Sequence, residues 1–119
     1  MVSARDKSKD RGVDLSEYRW AFDVEEFYAQ DDVDIVVEMI GGSEGPAYDL
    51  VTQGVAKKKH VVSSNKALLA EHGYEIAKSA DEQDVSLLFE GAVAGGIPIV
   101  KTLREGLAAN DVSSIYGIL

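Results

Sequence analysis

Three short apolar runs organise the chain: "DIVVEMI" (Asp34–Ile40), "HVV" (His60–Val62) and "VSLLFE" (Val85–Glu90). Each is followed by small residues, and segments long enough for a helix separate them. Runs this short and this rich in β-branched residues read as strands. Asp34–Ile40 is apolar almost throughout, which predicts a strand buried on both faces. The segment "PAYDLVTQGVAKKKH" opens with a proline suited to a first helical turn and lays Ala47, Leu50, Val51 and Val55 along one stripe. Lys57, Lys58 and Lys59 follow at its C-terminus, where cations are favourable, and read as a solvated face. A second helix is predicted over Ala67–Glu82, with Leu68, Leu69, Ile76 and Ala77 inward. Further on, Ile97–Ala109 reads as helix and Val112–Leu119 as strand. Strands alternating with helices of this length imply right-handed crossovers and a parallel sheet, hence an α/β fold.

That topology already says where function should lie. In open α/β sheets, ligands bind outside the carboxyl ends of the strands. The small-residue loops at Gly41-Gly42, Ser63-Ser64 and Gly91–Gly96 all follow strand ends, so they should gather on one edge. Each also has a plain reading: a tight turn for the glycine pair, a helix cap for Ser63-Ser64-Asn65, and close helix–sheet packing for "GAVAGGIP". Lys66 is harder to dismiss. A helix N-terminus favours anions, so a lysine there either swings into solvent or has a task. Glu90 ends an apolar strand, where a carboxylate is costly unless paired or solvated.

Composition narrows the classes. With no cysteine there is no disulfide, thiolate metal site or cysteine nucleophile, and two histidines, His60 and His72, are too few and too badly spaced for a zinc site. A formal net charge of −9 argues against nucleic acid or an anionic membrane as partner. The apolar runs fall far short of the roughly 20 residues that span a bilayer. "MVSARDKSKD" carries no apolar signal region, so a cytoplasmic protein is the expectation.

Both ends read as cut. "MVSARD" resembles the tail of a strand, and no Gly-x-Gly-x-x-Gly fingerprint follows a strand near the start. We expect residues 1–111 to form a partial nucleotide-binding domain and residues 112–119 to begin another. Arg5, Asp6 and Lys7 follow the strand tail, the position that reads the adenosine ribose in dinucleotide folds. A carboxylate there suits a 2′-hydroxyl and an arginine a 2′-phosphate. Arg5 and Lys7 favour NADP, while Asp6 keeps NAD open.

The segments "VDIVVEMIGG", "KKHVVSSNKALLAEHG" and "FEGAVAGGIPIVKTLREGLAAND" closely resemble homoserine dehydrogenase. The resemblance is strongest from Asp34 to Leu119 and looser over the first thirty residues. It implies an incomplete Rossmann-like, doubly wound parallel sheet. It also implies a parent enzyme, commonly a homodimer, that interconverts L-homoserine and L-aspartate 4-semialdehyde with NAD(P)(H) on the way to threonine, methionine and isoleucine. By this resemblance Lys66 lies beside nicotinamide and substrate, in a partly desolvated cleft, as a catalytic residue. Ile40, Gly41 and Gly42 match the turn that approaches the cofactor. Ser63, with Ser64 next to it, matches a hydroxyl near the nicotinamide ribose, and Arg5, with Lys7, a basic group facing the adenosine ribose or its phosphate. Glu90, Val93, Gly95 and Ile97 match a site for a monovalent cation such as sodium, made largely of main-chain oxygens. The family's acidic substrate-binding residues lie past Leu119, so activity is expected of the complete enzyme. A non-catalytic nucleotide-binding module, or a structural fragment that needs a partner, is the alternative.

Overall fold

The structure, a computed structural model, describes residues 1–117. Its centre is a parallel sheet of three strands: β1 (Ile35–Glu38), β2 (His60–Ser63) and β3 (Leu87–Leu88), in the order β1-β2-β3. Helix α2 (Pro46–Ala56) joins β1 to β2, and helix α3 (Lys66–Glu82) joins β2 to β3; a single turn, α1 (Glu25–Tyr28), precedes the sheet. The strands step in one direction, so crossovers of one hand lay both long helices on the same face. The core lies there: Val51 and Val55 of α2, Leu68, Ile76 and Ala80 of α3, and Val61 and Leu87 of the sheet. This is an incomplete Rossmann-like α/β arrangement, with helices on one face of the sheet among the described residues.

The helices start and stop for local reasons. Gly45, at φ 65°, precedes Pro46 at the first turn of α2, and Ala47, Leu50, Val51, Gly54 and Val55 point inward. Asn65 caps α3 by accepting the Leu68 N–H at 3.2 Å. Both helices close with a paired turn. In α2 the Lys58 N–H reaches Val55 O and the Lys59 N–H reaches Gly54 O, both at 2.9 Å. In α3 Asp84 and Val85 make the same pair to Asp81 O and Ala80 O. The residue in the left-handed region is Lys58 in one and Asp84 in the other, at φ 58° and 56°, where glycine is the usual choice. The turn at α2 also swings Lys59 inside. It is buried, with Nζ donating to Gln30 O at 2.7 Å, so the three lysines are not a uniformly solvated face.

Four expectations need correction. β1 is buried on one face only: Val36 and Glu38 are inside, while Ile35 and Val37 are 58% and 59% exposed. The predicted strand over Val85–Glu90 contracts to Leu87–Leu88, because β3 pairs with β2 only at Val61↔Leu87 and Val62↔Leu88 before the chain turns at Glu90–Ala92. The predicted helix over Ile97–Ala109 is a single turn, α4 (Ile99–Lys101), running into a wider π-helical turn at Thr102–Gly106, with none of these residues buried. Residues 112–117 are exposed and form no strand; the rest of the expected final strand, Ile118 and Leu119, lies outside the described residues.

The first residues form a small unit of their own. Val2 pairs with Trp20 in one parallel bridge, its N–H on Arg19 O and its carbonyl taking the Ala21 N–H, both at 2.9 Å. Between them run three successive Asx turns, at Asp6–Ser8, Asp10–Gly12 and Asp14–Ser16.

Candidate functional site

Register builds the site. β1 and β2 pair in phase to their last residues, so Glu38 and Ser63 are direct partners, both on the helix-covered face. Glu38 is fully buried. Its Oε2 accepts the Ser63 hydroxyl at 2.6 Å. Its Oε1 accepts the backbone N–H of Ile40 at 2.6 Å and of Gly41 at 3.1 Å, with the Asn65 side-chain amide at 3.5 Å. Burying a carboxylate is expensive, and a set of donors in place of water is what makes it tolerable. Among the described residues no buried side-chain polar atom lacks a partner.

The network ties two loops together. Gly41 and Gly42 stand at φ 85° and 83°, conformations that disfavour a side chain. Asn65 reaches back to donate to Gly42 O at 2.7 Å while capping α3 with its other side-chain atom. The Ser63 oxygen also accepts the Asn65 N–H, at 3.1 Å. The third loop closes on the second: a Cβ at Gly91 would lie 3.4 Å from the Ser64 Cβ. The three small-residue loops therefore do gather at the carboxyl edge of the sheet.

The residues singled out from sequence occupy this edge unequally. Ile40, Gly41, Gly42 and Ser64 are exposed along it. Ser63 is 2% exposed, and its hydroxyl is engaged with Glu38. Lys66 is the first residue of α3 and is exposed, so the expected partly desolvated cleft is not formed around it by the described residues. Glu90 does not end a strand. Its carboxylate accepts the N–H groups of Val100 (3.1 Å) and Lys101 (3.0 Å), which pins the loop holding Val93, Gly95 and Ile97 to α4. Among the described residues, one side-chain group with metal-ligating proximity, Glu44, Glu71 and His72, involves none of these residues.

At the N-terminal unit, Arg5 is exposed, and Lys7 Nζ stands 5.6 Å and 5.4 Å from the ring centroids of Trp20 and Phe22. Asp6 turns its carboxylate to the Ser8 hydroxyl and backbone N–H; those two bonds, in that order, hold it below the ordinary aspartate range.

Residues 1–90 match the family model described as homoserine dehydrogenase, NAD binding domain. The chain belongs to the homoserine dehydrogenase family. It is 54% identical over 94 residues to the homoserine dehydrogenase of Neisseria gonorrhoeae, covering 79% of this chain and 21% of that protein. To the homoserine dehydrogenase of Synechocystis it is 44% identical over 118 residues, 99% of this chain and 27% of the relative. The crystal structure of a homoserine dehydrogenase from Thiobacillus denitrificans superposes with a TM-score of 0.71 at 50% identity, over 76% of this chain and 21% of that one. The chain thus spans about a quarter of the length of these homoserine dehydrogenases, in the NAD-binding part.

Sequence reasoning passed over Glu38, the most connected side chain of the edge. The signal was present: an acid closing a strand of a homoserine dehydrogenase nucleotide-binding segment, followed by Ile-Gly-Gly amides able to fold back on it. Its partners Ser63 and Asn65 lie 25 and 27 residues away, and only the pairing register brings them near.

Proposed function

We propose that this chain is the NAD(P)-binding segment of an enzyme that interconverts L-homoserine and L-aspartate 4-semialdehyde. The observation carrying the reading is the convergence of the Gly41-Gly42, Ser63–Asn65 and Gly91 loops at the carboxyl edge of a parallel sheet, within a segment matching the family's NAD-binding domain. Nicotinamide, when bound, supplies or accepts the hydride. The chain's own residues fit around such a group. Gly41 and Gly42 leave open space where side chains would stand, and Ile40 and Ser64 are exposed along the same edge. Ser63 holds its loop in place from inside. Lys66, exposed at the edge, is free to turn its ammonium toward a carbonyl oxygen that gains negative charge, which favours the transition state.

Arg5 and Lys7 favour NADP by meeting a 2′-phosphate. The carbonyl-rich loop through Glu90, Val93, Gly95 and Ile97 suits a monovalent cation of the sodium type, held by main-chain oxygens. The partner is then a small amino-acid-derived substrate, and the whole enzyme a cytoplasmic homodimer. No helix among the described residues is long and apolar enough to cross a membrane.

The test uses the full-length enzyme that carries this segment. Lys66→Ala should lower turnover of aspartate 4-semialdehyde at least about 10²-fold, the lower range for a positioned charge or acid–base group. Thermal stability should change little, because the side chain is exposed. Near-normal turnover in the variant would reject the assignment.

A further inference from the structure

Glu38 is a buried acid to which the proposed reaction gives no task. It touches no basic side chain in its hydrogen-bonded set; its partners are a hydroxyl, two backbone N–H groups and a side-chain amide, all donors. Those partners belong to two different loops. Ile40 and Gly41 follow β1, while Ser63 ends β2 and Asn65 follows it. The Ser64 N–H adds a backbone tie, to Glu38 O at 3.3 Å. One side chain therefore sets the spacing between the two loops, and the residue after Asn65 is Lys66.

The same contacts decide what the loop after β1 can offer outward. The N–H groups of Ile40 and Gly41 are turned inward, and Gly42 O is taken by Asn65. Glycine-rich turns that bind phosphate do so with outward-facing N–H groups. This one has two of its donors committed to a carboxylate lying under it. Those two N–H groups are therefore not available to a phosphate above the loop.

We propose that Glu38 is a positioning residue. By holding Ile40-Gly41 and Ser63-Asn65 in one hydrogen-bonded frame, it sets the seat for the nicotinamide half of the cofactor and the start of α3 that carries Lys66. It acts on this half only; the adenosine half is met by other residues. The inference rests on the reading given under Proposed function.

The experiment compares two probes on the full-length enzyme: NADPH, and adenosine 2′,5′-bisphosphate, which lacks the nicotinamide and its ribose. Glu38→Gln keeps the size of the side chain but replaces one acceptor oxygen with a donor that faces other donors. The expected result is NADPH binding weakened about tenfold or more, the scale of one lost charge-assisted contact. Affinity for adenosine 2′,5′-bisphosphate should stay within about twofold. Equal weakening of both probes would overturn the proposal, since general damage to the fold does that, and so would no weakening of either. If Glu38→Gln does not yield folded protein, Glu38→Asp keeps the charge but shortens the reach to Ser63, Ile40 and Gly41, and the same split is expected. Wild-type enzyme that binds neither probe and does not reduce aspartate 4-semialdehyde would bring down the functional reading itself, and the proposal with it. Wild-type binding and turnover alongside an unaffected variant would bring down the proposal alone.

Discussion

Ser63→Ala removes one oxygen from the middle of the buried network, and the structure sets the size of the effect. The hydroxyl donates to Glu38 Oε2 at 2.6 Å and accepts the Asn65 N–H at 3.1 Å. Losing a hydrogen bond to a charged group costs about 1.5–3 kcal/mol, and leaving a buried N–H without an acceptor costs about 1–3 kcal/mol. The two are not fully additive, because Glu38 keeps the Ile40 and Gly41 amides and Asn65 can settle slightly. A net loss of about 2–4 kcal/mol is expected. In urea, with a slope of about 1.5 kcal/mol/M, the midpoint should fall by about 1.3–2.7 M with the slope unchanged. Ser63→Thr keeps the hydroxyl and should recover most of the loss. Circular dichroism at equilibrium across a urea series reads both variants. A loss below about 0.5 kcal/mol in the alanine variant, the level of an ordinary surface substitution, would refute the idea that this hydroxyl holds the carboxylate.

Two further outcomes follow from other parts of the chain. In the full-length enzyme, Arg5→Ala should lower the NADP-over-NAD ratio of kcat/KM by about tenfold or more, as expected for one lost charge-assisted contact; an unchanged ratio would remove the 2′-phosphate role. Lys58→Gly should stabilise the protein by about 0.5–1 kcal/mol, because Lys58 sits at φ 58° with its side chain exposed, and a raised thermal midpoint would show it.

The long, well-partnered elements were legible in the sequence. Both major helices, α2 and α3, carry a complete apolar stripe and a recognisable start, Gly45-Pro46 in one and Asn65 in the other. Elements that depend on a partner were not. Ile97–Ala109 has enough apolar residues to read as a helix, but the described residues bury none of them, and a short helix without a packed face gains little from propensity alone. Val85–Glu90 has strand composition throughout, yet pairing stops after Leu88 and Glu90 turns to the amides of α4. The edge where the loops meet followed from topology and could be read in advance. Its interior could not, because a charge inside an apolar run looks like an exception until the pairing register supplies its donors. Lys59 is the same lesson at smaller scale: three consecutive lysines share a composition, and one of them is turned inside by a helix-ending turn.

The facing of Glu38 and Ser63 also bears on how the sheet assembles. Alternation of buried and exposed residues forbids sliding β1 past β2 by one position, since every side chain would change faces. It does not forbid sliding by two. After such a slip Val36 would still face the helices, and the apolar pattern of a strand this short would look equally satisfied. What differs is the acid. Moved back by two, Glu38 would stand opposite Val61, which is fully buried in the apolar cluster with Leu68 and Leu87, and its carboxylate would lose its hydroxyl partner. The local Ile40 and Gly41 amides would travel with it, but its other oxygen would be buried with no donor, and a buried carboxylate only half satisfied is a costly error. The residue that is hardest to bury thus marks the correct alignment of two otherwise interchangeable hydrophobic strands. A leucine there would bury with less penalty and leave the alignment unspecified.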